Sequence, residues 1–167
     1  MIEMERSCMK GNENVYFRAR KKAAEYNDRL NSKEGAAELL GVSPSTLSNY
    51  ELGLTKAVPV DNVVLMADLY GCPELKTLYC KNECPIGKAM PLATEIYGIE
   101  GIALRMMLGF DPEELRQMQK SLAEIAADGV ISDDEKPELE KILKKLDELS
   151  LVISELKLAG EKALKGR

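Results

Sequence analysis

Apolar positions along this chain recur mainly at steps of three and four, the spacing that lines one face of a helix. The first such run, Val15 to about Asn27, sets Phe17, Ala23 and Ala24 on an inner stripe, with Arg18, Arg20, Lys21 and Lys22 outside. A second run follows Ser32, whose hydroxyl suits an N-cap with Gly35 three residues on, and ends at Leu40-Gly41, where glycine accepts the left-handed C′ conformation. The third starts beyond Ser43, with Pro44 in a first turn where a missing N–H costs nothing, and stops near Leu52-Gly53. The connection TKAVPV leads to Asp61, expected to cap a helix through about Tyr70 whose Leu65, Met66 and Leu69 close a core. After Gly71-Cys72-Pro73, residues Glu74 to Cys80 form a short fifth helix.

The stretch ECPIGKAMPL, rich in proline and glycine, reads as a linker. The pattern divides the chain into a tail at 1–14, a helical domain at 15–81, a linker at 82–93 and a second helical region at 94–167. In that region Thr94 to Leu108 is helical despite Gly98 and Gly101, and Asp111-Pro112-Glu113-Glu114 opens a helix to about Ala127 with a cap, an N1 proline and two acids that complement the macrodipole. A final helix starts at Asp133 or Pro137 and reaches Leu164. Along it Leu139, Ile142, Leu146, Leu149, Ile153 and Leu156 alternate steps of three and four, a heptad seam on a rod of roughly 40 Å. Leu115, Met118, Leu122 and Ile125 repeat the pattern one helix earlier, and the short DGVISD connection makes the two an antiparallel hairpin, so that two such hairpins can join as a four-helix bundle. The width of the apolar face points to homodimerisation through the six seam residues, against two other readings: closure on Thr94–Leu108 within one chain, or a different coiled-coil partner.

Composition supports an all-α class: aromatics are 5%, Trp is absent, and Leu, Ala, Glu and Lys dominate. The first residues lack a signal-like apolar core and no run approaches a membrane span, so a cytoplasmic protein with reduced thiols at Cys8, Cys72, Cys80 and Cys84 is expected. Net charge is −5, but residues 1–72 carry 9 cations against 10 anions, leaving most of the acidic excess to the C-terminal part. A near-neutral N-terminal domain can still present a basic face to phosphate.

The segment KEGAAELLGVSPSTLSNYELG, Lys33 to Gly53, has the spacing of two helices crossing at a tight turn. Ala37 permits close helix approach, Gly41 makes the turn, and Val42 and Leu47 fill the wedge. Ser43 then caps a helix that displays Pro44, Ser45, Thr46, Ser48 and Asn49, small polar groups suited to base edges; an asparagine amide pairs with adenine N6 and N7. Lys33 and Lys56, with Ser43 and Thr55 as lesser donors, are placed for phosphates, which position a protein without specifying sequence. This stretch resembles the XRE or lambda-repressor-like family, through Ser32, Ala37, Leu40, Gly41, Val42, Ser43, Leu47, Ser48, Glu51 and Gly53 in register. It departs from that pattern at Lys33, where the family has Gln, and at Ala36, where it has Leu. The resemblance implies a five-helix bundle and sequence-specific binding of double-stranded DNA, commonly as a dimer.

Other chemistries find little support. Asp128 to Glu135 matches only the second half of a calcium loop, because the first half falls at Glu124 and Ala126 within a helix. Cys72, Cys80 and Cys84 lack a fourth metal ligand unless Cys8 folds back to supply it, and with no His there is no nucleophile–histidine pair. No metal, cofactor or catalytic residue is assigned. The sequence therefore reads as an all-α transcriptional regulator, a dimeric repressor on a palindromic operator, with a protein-interaction adaptor of the same fold as the alternative.

Overall fold

The computed structural model describes residues 14–164 and is helical throughout, with no strand among them. The tail expected over residues 1–14 lies outside the described residues except for Asn14. Asn14 caps the first helix, α1 (Val15–Ala23), by accepting from the Tyr16 amide. A 3-10 turn at Asp28–Leu30 leads into α2 (Lys33–Leu40), followed by α3 (Pro44–Glu51), α4 (Val60–Leu69) and α5 (Glu74–Asn82). A second 3-10 turn at Gly87–Ala89 precedes α6 (Ile99–Gly109), α7 (Pro112–Ile125) and α8 (Lys136–Leu164).

Helices α1 to α5 share one core, in which Leu30, Leu47, Met66 and Leu75 are completely enclosed. Helix α1 is shorter than its charge pattern suggests and buries Tyr16, Ala19 and Arg20 alongside Ala23, so Arg20 belongs to the inside and Phe17 is only half-buried. Met66 is enclosed and Leu69 packs against the core as expected, but Leu65 is 51% exposed; Val63, Met66 and Ala67 make the inner face of α4. That helix begins one residue before Asp61, after Pro59, because proline's fixed φ already suits a helix entry. Asp61 instead lies in the first turn, where its charge still complements the dipole.

The segment after α5 is fastened to the core. Glu83 accepts from the Tyr16 hydroxyl at 2.5 Å and from the Val58 amide at 2.7 Å, joining α1, the loop beyond α3 and the end of α5. Gly87 is buried so closely on Cys80 that a Cβ there would collide with its backbone. The thiols of Cys80 and Cys84 are free, but buried Cys72 is disulfide-bonded, which corrects the expectation of four reduced thiols. A reducing compartment favours free thiols in general, but which sulfurs meet is decided by the fold.

Helix α6 starts five residues later than expected, because Gly98 is its N-cap and Thr94 to Tyr97 precede it without helical structure. Asp111 caps α7 by accepting from the Glu114 amide, and α8 starts at Lys136, between the two starts that Pro137 leaves open. Both α6 and α7 run antiparallel to α8. Arg105 meets Glu155, the position of Gly109 faces Leu149, Glu114 accepts from Lys145, and Ser121 lies beside Glu138, in steady order along the two arms. The region is thus one hairpin whose first arm is broken at Phe110-Asp111. The end of α8 reaches the N-terminal helices, where Lys76 pairs with Glu161 and Lys162 donates to the Gly71 carbonyl at 2.6 Å. Among the described residues no helix is long and apolar enough to cross a membrane.

Candidate nucleic-acid interface

Two serine caps and one left-handed glycine set the geometry of α2 and α3. Ser32 accepts from the Gly35 amide at 3.0 Å, and Gly35 has no room for a Cβ because the Arg29 carbonyl lies against it. At the other end Gly41 adopts φ 66°, which L side chains resist, and the Val42 amide returns to the Ala37 carbonyl at 3.0 Å. The chain is thereby turned into α3 within three residues. Buried Ala36 and Ala37 keep the helices close, Leu47 is enclosed between them, and Val42 packs at the rim.

Ser43 caps α3 through the Thr46 amide, and its hydroxyl also bonds Ser45 Oγ at 2.9 Å and Thr46 Oγ1 at 2.8 Å. This small hydroxyl cluster stands at the end of the helix that meets base edges in a helix-turn-helix. Pro44, Ser45 and Asn49 are exposed, Thr46 and Ser48 half-buried. Leu47, Tyr50 and Glu51 face inward, and the Tyr50 hydroxyl accepts from Asn62 at 3.0 Å, which braces α3 against α4.

Beneath α3 lies an ion pair that periodicity did not reveal. Arg20, 2% exposed, donates to Glu51 Oε1 at 2.5 Å and Oε2 at 3.0 Å, and to the Leu30 carbonyl at 2.8 Å. The hydrogen bond to Glu51 outweighs the cost of burial and holds the guanidinium above its ordinary pKa. One side chain thus joins α1, the turn before α2 and the end of α3. The available signal was the phase of Glu51: four residues after Leu47, a carboxylate falls on the buried side and requires a cation.

Of the residues expected at phosphate, Lys56 is exposed, Thr55 is half-buried and Ser43 is exposed while serving as a cap. Lys33 reaches across to α3, where its ammonium donates to Ser48 Oγ at 2.9 Å and stands 3.9 Å from Glu51 Oε2. The six seam residues of α8 do not share one environment. Ile142 and Leu149 are buried within the hairpin, Leu139 and Leu156 are half-buried, and Leu146 and Ile153 are exposed.

A capped helix with small polar side chains, held at a glycine turn on a five-helix core, defines a helix-turn-helix domain. Residues 27–76 match the family Helix-turn-helix (HTH_3), and this segment is a domain of the XRE or lambda-repressor-like type. The match supports a DNA-binding regulator. No curated protein and no solved structure matches the chain.

Proposed function

We propose that the chain is a sequence-specific transcriptional regulator, acting in the cytoplasm as a dimeric repressor without catalytic activity. In this reading residues 15–81 bind DNA, 82–93 connect, and 94–167 dimerise. The carrying observation is the outward face of α3, where Ser45 and Asn49 are exposed on a helix whose opposite side is locked by Leu47, Tyr50 and Glu51. Pro44, Ser45, Thr46, Ser48 and Asn49 meet base edges, while Lys33, Lys56, Thr55 and Ser43 meet phosphate. Pairing two copies through α8 places the recognition helices on half-sites one or more turns apart and requires a roughly palindromic operator. Supporting it, the two-layer hairpin leaves Leu104, Met107, Leu122, Leu143 and Leu146 exposed.

Selection from a random duplex library tests the reading. The chain should enrich one roughly palindromic site with salt-sensitive affinity. Asn49→Ala should weaken that site by ~1–3 kcal/mol and relax preference at one base pair, whereas Lys56→Ala should weaken every duplex about equally. The second reading, an adaptor that binds protein through the same fold, is favoured by the net charge of −5 and by the exposed apolar residues of α6 to α8. It predicts that no duplex is enriched.

A further inference from the structure

The recognition helix contains no lysine or arginine between Pro44 and Glu51, so its own side chains cannot place a cationic donor on guanine, the commonest specific contact in the major groove. Two cations from outside are tied to it. Arg20 is buried beneath the helix with its donors on Glu51 and the Leu30 carbonyl. Lys33 is different: its side chain remains 38% exposed while its ammonium is held on Ser48 Oγ, on the flank of the outward face.

We propose that Lys33 is a base-reading residue that supplies the missing guanine donor from α2. An ammonium has three donors. Ser48 takes one, leaving two for guanine O6 and N7, and Glu51 Oε2 at 3.9 Å opposes release of the charge from this position. Ser48 is then a positioning residue: as acceptor for Lys33, its hydroxyl retains a proton with which to donate onward. The inference rests on the DNA-binding reading and changes the role of Lys33 from register to specificity.

The test uses the full chain, its selected duplex, and duplexes in which each G·C pair of that site is replaced in turn, at several salt concentrations. Lys33→Met should lose roughly 10-fold or more of the discrimination at one G·C pair per half-site and keep it elsewhere. Ser48→Ala should weaken the same discrimination, and Lys33→Arg should retain it. If Lys33→Met preserves preference at every position while weakening all duplexes alike, with the slope of log K against log salt falling by about 0.9, Lys33 is a phosphate contact and the inference is overturned. A parent chain without duplex preference overturns both this inference and the reading beneath it, so the two failures are distinguishable. Circular dichroism should show unchanged melting for Lys33→Met, whose side chain is partly in solvent.

Discussion

The helices before residue 83 and those after residue 98 carry comparable amphipathic patterns but solve different problems. Helices α1 to α5 cross one another around one shared core, with the paired Arg20 and Glu51 enclosed beside it. Helices α6 to α8 form a single hairpin, two layers thick. Ile102, Ile125, Ile142 and Leu149 are buried, while Met107 is 77% exposed and Leu146 41%. A three-four repeat says that a face needs covering; the partner is decided by how many layers the chain folds back to supply. In the first region the chain supplies enough of them to enclose a core, although α4 still shows Val60, Val64 and Leu65 to solvent. In the second an exposed apolar surface remains, of the kind that marks interaction sites.

The strongest test of that contrast is the charge inside the first region. Removing Arg20 alone leaves Glu51 enclosed without its cation, so Arg20→Ala should cost about 3–5 kcal/mol in urea unfolding. Combining Arg20→Met with Glu51→Leu should recover much of that loss, because no buried charge remains to be compensated. A single variant as stable as the parent would mean that solvent reaches Glu51.

Within α8 two seam positions separate intrachain packing from the open face. Ile142→Ala removes atoms from a filled site and should cost roughly 2–4 kcal/mol in the monomer. Leu146→Asp touches an exposed position and should leave monomer stability within about 1 kcal/mol, while sedimentation over a concentration series shows self-association weakened or lost. Equal thermal effects of the two, with no change in association, would break the comparison and leave the hairpin complete in one copy.

Legibility followed the same division. The α2–turn–α3 unit could be read residue by residue, because Ser32, Gly41 and Ser43 each do a local job that needs one residue type. Arg20 could not: on α1 alone it belongs to a basic face, and only the approach of Glu51, 31 residues away, makes it an inside residue. Leu65 is ambiguous on α4 for a related reason, since a run of apolar residues from Val63 to Met66 fits more than one stripe. The apolar character of the α8 seam is plain in the sequence, yet periodicity cannot say that Ile142 and Leu149 are buried while Leu146 is exposed. The outward polar side chains of α3 were legible as candidates, but the reach of Lys33 to Ser48 depends on the helix crossing and not on spacing.

Smaller effects probe how firmly the first region is held. Ser43→Ala removes the α3 cap and should cost about 1 kcal/mol, more than any equivalent change at an exposed serine of α8. The smallest effect at neutral pH belongs to Tyr70, whose buried hydroxyl has no hydrogen-bond partner among the described residues. Burial first, and the nearby negative charge of Glu51 second, raise its pKa well above the ordinary 10.0. The folded chain therefore holds the phenol proton at pH values where the unfolded chain has released it. That contribution is intact below about pH 10 and is lost progressively as pH rises beyond it. Tyr16, also raised by burial and by Glu83, adds a loss of the same sign. Tyr70→Phe should change stability by less than about 0.5 kcal/mol near pH 8, since no hydrogen bond is given up. Between about pH 9 and pH 11 it should flatten the decline of the urea midpoint relative to the parent. A decline of unchanged steepness would show that Tyr70 ionises in the folded state, and that the core beneath α3 is wetter than its packing implies.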